Sequence, residues 1–354
     1  MFNTSPPRVL FCGGQSVGHL APRVAVWREL KEMEPEAEAL FCCTDTPSDA
    51  VFLAREDLPF VALPQPPRFL VPLWFPVGFF RAFRMLKKFS PTAVFSKGGS
   101  VSIPVVLAAK CVGIPVVLHE SDAVSGRATR FLAPFATILC RGLPFDREHE
   151  SSAWQRAVYT GNPVRRSLQQ GSRERGLEIT GLQGKKHVLL IMGGSQGAVA
   201  INTAVISLLD ALLAEVDIVH LTGKGKETGI QREGYFSLPF ATSELPHLYA
   251  IADLALSRSG AGGISEIALF GLPMILVPLE GVAQDHQVKN AQTMEKLGAC
   301  VLIRQQDLAA KLVPTVQAIL TDESMRASLY EHLQQVSTPE AAKHIAEMLV
   351  KVRT

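Results

Sequence analysis

Most of the residues in this chain that can do chemistry crowd into one late stretch, Leu256 to Ala291, reading LSRSGAGGISEIALFGLPMILVPLEGVAQDHQVKNA. An apolar strand, Leu254 to Leu256, runs into a turn of serine and glycine, Ser257 to Gly263, and then into an apolar-periodic helix. Such a turn leaves backbone N–H groups uncovered at the helix N-terminus, where the dipole favours an anion. The amides of Ala261, Gly262, Gly263 and Ile264 are therefore candidates to hold a phosphate or diphosphate, with Arg258 beside them. Glu266, expected in the first turn, cannot share that anion. A carboxylate there suits the vicinal diol of a ribose, which would donate to it. Diphosphate plus ribose describes a nucleotide. A buried strand, Pro273 to Val277, follows, and after it a polar loop with Asp285, His286, Gln287 and Asn290 offers groups suited to a sugar's hydroxyls. Glycine turns cap helices in many α/β proteins, so the reading rests on Arg258, Glu266 and the His-Gln-x-x-Asn loop.

Other turns repeat the theme. Gly193-Gly194-Ser195-Gln196-Gly197 follows the strand Val188 to Met192. It lacks the Gly-Lys-Ser/Thr of a P-loop and the G-x-G-x-x-G of a dinucleotide site. Gly13-Gly14-Gln15-Ser16-Val17-Gly18-His19 follows the first strand, and His19 is either a base for a sugar hydroxyl or a helix cap. Glu120, in His119-Glu120-Ser121-Asp122-Ala123, is a competing general base. No aspartate pair of the D-x-D type follows a strand, so arginine and helix dipoles, rather than a metal, are expected to carry the diphosphate.

The elements that must position these groups alternate. Apolar runs at Arg8 to Cys12, Ala39 to Cys43, Phe60 to Leu63, Ala93 to Phe95 and Pro115 to Leu118 are separated by helical patterns, which predicts parallel βα units in a doubly wound α/β sheet. The strand-Gly-Gly opening recurs at Val188 to Gly194, followed by a helix over Ala198 to Ala214. Two Rossmann-like domains are expected, over 1–163 and 164–338, with a break at Gly161-Asn162-Pro163. The last helix, Pro339 to Val352 within 339–354, is a candidate to cross back to the first domain.

The chain has 354 residues, 47% hydrophobic and 19% charged, with a net charge of +2. That length suits two domains. No run approaches the ~20 apolar residues that span a bilayer, and the N-terminus reads as a strand rather than a leader. Six cysteines without C-x-x-C spacing suggest free thiols in a reducing cytoplasm. Charge is unevenly spread. Between Leu58 and His119 there is no acid, while Arg68, Arg81, Arg84, Lys87, Lys88, Lys97 and Lys110 are all basic. The same stretch holds Phe69, Leu70, Trp74, Phe75, Phe79 and Phe80, with Pro72 and Pro76 expected to break a core helix. Apolar and basic residues together fit an anionic membrane surface better than nucleic acid. Three or four such side chains at ~1.5–3 kcal/mol each suffice for reversible attachment.

SRSGAGGISEIALFGLPMILVPL with DHQVKNA resembles the donor signature of the MurG glycosyltransferases. These move N-acetylglucosamine from its UDP sugar to the undecaprenyl-diphosphate muramoyl-pentapeptide of peptidoglycan synthesis. GGSQG at 193–197 is similar to the family's own loop, which implies Ser195 and Gln196 near the donor phosphates. Gly161 to Arg165 matches GNPVR and implies Arg165 near the diphosphate, where a fixed cation stabilises leaving UDP. HEQNA and GGYVS are similar to His119–Ala123 and Gly98–Ser102, and GGGTGGH to Gly13–His19. The acceptor would then meet Gly14, Gln15, Ser16, Gly18, Gly98, Gly99, Ser100 and Asp122.

The resemblance implies the glycosyltransferase B architecture, two Rossmann-like domains facing a cleft, and an inverting transfer needing no cofactor. It implies a peripheral position on the cytoplasmic face of the bacterial inner membrane. Departures stand in the acceptor loops: Gln15 and Val17 replace glycines, Ser100 a tyrosine, and Ser121 and Asp122 a glutamine and an asparagine. Another sugar-nucleotide transferase with a different acceptor, or a non-catalytic nucleotide-binding homologue, shares these features. Turnover separates the last from both enzymes.

Overall fold

The computed structural model describes residues 6–14, 17–64, 71–144, 152–194, 196–281 and 283–353. Gln15, Ser16, Arg68, Phe69, Leu70 and Ser195 lie outside the described residues, as do the side chains of Val17 and His19. The chain divides into two compact units, residues 1–165 with 339–354 and residues 166–338.

The first unit holds seven strands: β1 (Arg8–Cys12), β2 (Glu38–Thr44), β3 (Phe60–Leu63), β4 (Ala93–Ser96), β5 (Val116–Glu120), β6 (Ile138–Arg141) and β7 (Val158–Tyr159). They form one parallel sheet in the order β3-β2-β1-β4-β5-β6-β7. β1, β4 and β5 are near-continuous apolar runs because helices cover both faces. On one face Phe11 stacks on Phe41 with centroids 4.9 Å apart. The helices Val17–Met33 and Ala341–Lys351 close over that face, the second through Ile345, Ala346 and Leu349. The other face carries the helices Val71–Phe89 and Ser102–Cys111.

The second unit holds β8 (Val188–Met192), β9 (Asp217–Leu221), β10 (Tyr235–Leu238), β11 (Leu254–Ser257), β12 (Met274–Leu276) and β13 (Val301–Leu302). They form a second parallel sheet, β10-β9-β8-β11-β12-β13. In each sheet the strand order reverses once, between β1 and β4 and between β8 and β11. Crevices for ligands open at such switch points, beyond the carboxyl ends of the strands. The glycine turns stand there: Gly13-Gly14 after β1, Gly98-Gly99 after β4, Gly193-Gly194 after β8, and Gly260 to Gly263 after β11.

Three expectations are corrected. Pro72 and Pro76 do not break the aromatic stretch, because Val71–Phe89 is one helix. Pro72 lies in the first turn, where no intrahelical donor is needed, and Pro76 forfeits a single bond. Gly78 gives Trp74 room to fold down on the helix; a Cβ there would lie 2.5 Å from its ring. The helix expected over 198–214 is two, Val199–Ser207 and Leu209–Glu215, parted at Leu208 (φ −107°, ψ 12°). The loop expected around His286, Gln287 and Asn290 is the start of the helix His286–Lys296, entered through Gln284 and Asp285 with φ of 63° and 56°.

Candidate active site

In the second unit the site is built on the helix Ala261–Leu269, which starts directly beyond β11. Gly260 is its N-cap and no side chain caps it. Neither Gly260, Gly262 nor Gly263 has a positive φ, and a Cβ on Gly260 or Gly262 would meet nothing within 4 Å. Neither backbone strain nor protein packing therefore demands glycine there, and Gly260 and Gly262 stand against open space. Ile264 is not among the open donors of this helix start, because its N–H already donates to Gly260 O at 3.0 Å. The donors that remain are Ala261, Gly262 and Gly263.

Glu266 is the sixth residue of this helix, so it stands in the second turn rather than the first. Its Oε2 accepts from the Tyr249 hydroxyl at 3.0 Å. Tyr249 is buried and stacked on Phe270 at 4.5 Å, and burial, with Glu266 adding, pushes its phenol well above the usual range. A rigid phenol thus fixes the half-buried carboxylate. Sequence gave no sign of this pair, which lies 17 residues apart on different helices.

Two expected ligand contacts turn out to be scaffold. Arg258 is buried, and its Nη1 donates to Val277 O (3.2 Å) and Pro278 O (3.1 Å) while Nη2 donates to Gln305 Oε1 (2.6 Å). It pins the end of β11 to the end of β12. Asn290 is fully buried, with Nδ2 donating to Ser259 O at 3.1 Å. Gln287 is held at two points: its carbonyl accepts from Ser259 Oγ (2.8 Å) and its Oε1 from Leu279 N (3.1 Å). His286 sits half-buried one position before it. In the neighbouring turn Gly194 has φ 82°, and Gly197 packs so tightly on Gly223 that a Cβ on Gly223 would lie 2.6 Å from Gly197 Cα. Gln196 is exposed at that turn, and its carbonyl accepts from Lys226.

In the first unit Cys12, Ser96 and Leu118 are level across β1, β4 and β5. The turns that follow meet one another. Gly99 (φ 82°) lies on Gly14, where a Cβ would come within 2.6 Å of Gly14 Cα, and Gly98 (φ 71°) lies against Thr129. Gly18 and His19 belong to the first turn of the helix Val17–Met33. Ser100 is exposed beside the paired glycines, Asp122 is half-buried after β5, and Arg165 is half-buried at the end of the unit.

Glu120 is not an open base. It is buried, with Oε1 accepting from Asp122 N (3.2 Å) and Oε2 from Gly126 N (2.9 Å) and the Thr129 hydroxyl. Burial, then the charge of Asp122, raises its pKa. Its carboxylate holds the 122–129 loop. Lys97, counted above with the surface cations, is 4% exposed. Its Nζ donates to His119 Nδ1 (2.9 Å) and to Ser121 Oγ. His119 Nε2 faces Gly161 O at 2.9 Å, so that nitrogen carries the proton and Nδ1 accepts. Burial, with Lys97 adding, keeps this imidazole neutral, its pKa well below the usual value.

The aromatic helix presents Val77, Phe80, Arg81, Arg84, Lys87 and Lys88 to solvent, with Phe80 65% exposed. Phe75 and Phe79 line a groove of about 330 Å³ with Leu107, Lys110, Cys111 and Phe135, and Phe131 (52% exposed) packs on Phe135. Trp74 is half-buried. Among the described residues no helix is long and apolar enough to cross a membrane.

Two parallel-sheet α/β domains with glycine turns at both switch points have the fold of the B-type glycosyltransferases. MurG of Acinetobacter baumannii shares it at a TM-score of 0.77 and 24% identity, over 98% of this chain and 100% of that one. A UDP-GlcNAc 2-epimerase from Neisseria meningitidis does so at 0.65 and 16%, over 97% and 100%. The glycosyltransferase family 28 N-terminal domain matches residues 9–139, and the family's C-terminal domain matches residues 188–348. The UDP-N-acetylglucosamine–N-acetylmuramyl-(pentapeptide) pyrophosphoryl-undecaprenol N-acetylglucosamine transferase of Geobacillus kaustophilus is 34% identical over 91% of this chain and 89% of its own. Its counterpart in Lachnoclostridium phytofermentans is 32% identical over 98% and 99%. The chain belongs to glycosyltransferase family 28, among its MurG members.

Proposed function

We propose that this protein transfers N-acetylglucosamine from UDP-N-acetylglucosamine, with inversion, to the muramoyl-pentapeptide carried on undecaprenyl diphosphate. The observation that carries the reading is the uncapped start of the helix Ala261–Leu269, whose glycines are required by neither backbone nor packing. The amides of Ala261, Gly262 and Gly263 hold the donor diphosphate, Glu266 accepts from the ribose diol, and His286 and the Gln287 amide meet the sugar. Ser195 and Gln196 border the diphosphate, where N–H groups stabilise departing UDP. Arg258 and Asn290 act one step back, by fixing the turn and the helix that carry these groups.

The acceptor belongs to the first unit, at Gly14, Gln15, Ser16, Gly18, Gly98, Gly99, Ser100 and Asp122. Because both Glu120 oxygens are committed to the protein's own donors, His19 is the base that takes the acceptor hydroxyl's proton. An anionic membrane surface meets the face with Val77, Phe80, Arg81, Arg84, Lys87 and Lys88, as a lipid-linked acceptor requires. That puts the protein at the cytoplasmic face of the bacterial inner membrane. The test is UDP release in the presence of the muramoyl lipid. Acceptor-dependent release is expected, and a rate no higher than that without acceptor removes this acceptor.

A further inference from the structure

Lys97 and Ser121 are not accounted for by the roles above, yet the buried Lys97 ammonium donates to the Ser121 hydroxyl. A lysine ammonium has three donors and no acceptor. Since Lys97 donates to Ser121 Oγ, that oxygen's own proton is left to point elsewhere, and among the described residues no acceptor takes it. Ser121 is half-buried and Lys97 buried, so a buried cation donates to a hydroxyl on a partly exposed residue. Its backbone is also fixed: Asn162 Nδ2 donates to Ser121 O at 3.1 Å. The pair sits just beyond the level row of β1, β4 and β5, at the switch point where Gly14 and Gly99 meet.

We propose that Ser121 Oγ–H, backed by the Lys97 ammonium, is a ligand-binding donor for the anionic phosphate oxygens of the acceptor. This rests on the reading that the acceptor's diphosphate lies on the first unit. A buried cation polarises the hydroxyl and supplies charge that solvent does not screen.

The charge is conditional. Burial lowers the Lys97 pKa to about 7, with Arg23 on the helix Val17–Met33 lowering it further. Glu120 on β5, Asp122 after it and Cys140 on β6 act in the opposite sense, and His119 beside it is neutral. Glu120 is turned to its own loop, both oxygens accepting from Asp122 N, Gly126 N and the Thr129 hydroxyl. An anion at Ser121 favours the charged lysine. Binding at pH 7 therefore draws in a proton, up to about half of one per site for a group half-charged beforehand.

Calorimetry on the full chain with UDP saturating, so that the donor site is filled, tests this. Inorganic diphosphate and a short prenyl diphosphate are titrated at pH 7 in two buffers of different ionisation heat. The wild type is expected to bind both with proton uptake, which fades at pH 5.5, where Lys97 is already charged. Ser121→Ala should weaken both about ten- to a hundred-fold, Ser121→Thr should restore them, and Lys97→Met should abolish the uptake. UDP affinity should be unchanged in all three. Binding without proton uptake, or Ser121→Ala binding as tightly as wild type, overturns the proposal. Should Lys97→Met fail to fold, the two serine variants and the wild-type proton count still decide it. If both diphosphates behave as expected but the muramoyl lipid is not turned over, the acceptor's identity falls and the phosphate site stands.

Discussion

Replacing Glu266 by alanine removes two things at once, and they separate experimentally. The ribose loses an ionised acceptor, which costs ~1.5–3 kcal/mol, so UDP should bind roughly ten- to a hundred-fold more weakly. The buried Tyr249 hydroxyl loses its carboxylate acceptor at 3.0 Å and keeps only the weak sulfur acceptor Met192 Sδ at 3.5 Å. The exchange of a carboxylate for a sulfur acceptor costs at most the about 1–3 kcal/mol of an unpaired buried donor, or up to about 2–12 °C in the melting temperature of a domain this size. Glu266→Gln keeps an acceptor for Tyr249, so it should melt close to wild type while still binding UDP less tightly. Adding Tyr249→Phe to Glu266→Ala should recover stability without recovering affinity. Calorimetry with UDP and with 2′,3′-dideoxy-UDP isolates the ribose term. Wild type should prefer UDP, and Glu266→Ala should lose that preference. If the alanine variant weakens both ligands equally, or neither, the carboxylate does not touch the diol and the orientation assigned to the nucleotide is wrong.

Three other outcomes follow from the same geometry. His220 Nε2 donates to Asn202 Oδ1 at 3.1 Å and Nδ1 accepts from Tyr235 OH at 3.0 Å, and burial holds its pKa down to about 4. The unfolded chain therefore binds more protons between about pH 6.5 and 4. Stability should fall by about 3 kcal/mol as pH drops through that window, and denaturant midpoints should show a shallower fall in His220→Gln. Gly99→Ala forces a Cβ onto Gly14 and strains a φ of 82°, so it should cut turnover at least tenfold while UDP binding holds; undiminished turnover would show that these loops need not meet. Replacing Phe80 and Phe131 together by serine should abolish binding to anionic vesicles at low salt without changing UDP affinity. Cys111, exposed in the apolar groove, takes a solvatochromic label that should shift to the blue on vesicles in the wild type alone.

Much of the fold was legible in the sequence because parallel strands covered on both faces read as short apolar runs ending in glycine. β1, β3 and β8 carry the bounds expected from the sequence. The aromatic helix misled because proline was read as a breaker without regard to position, and Pro72 and Pro76 lie near the helix start. The candidate site was legible where chemistry is local. An uncapped glycine helix start shows in a few consecutive letters. Whether a polar residue faces a ligand or the protein does not show, because that depends on partners far along the chain. Arg258 finds Gln305 and the carbonyls after β12; Glu120 finds Thr129; Glu266 finds Tyr249. Lys97 did carry a signal: a lone cation set directly between an apolar strand and Gly-Gly has no room to reach solvent.

The covalent fate of the sugar reads out the transfer itself. The protein is incubated with UDP-N-acetylglucosamine and the muramoyl lipid, and all sugar-containing products are identified by mass spectrometry and NMR. Inverting transfer yields a lipid enlarged by one N-acetylglucosamine in β linkage, with UDP formed in equal amount. Free N-acetylglucosamine, a UDP sugar epimerised at C2, or a lipid of unchanged mass would contradict it.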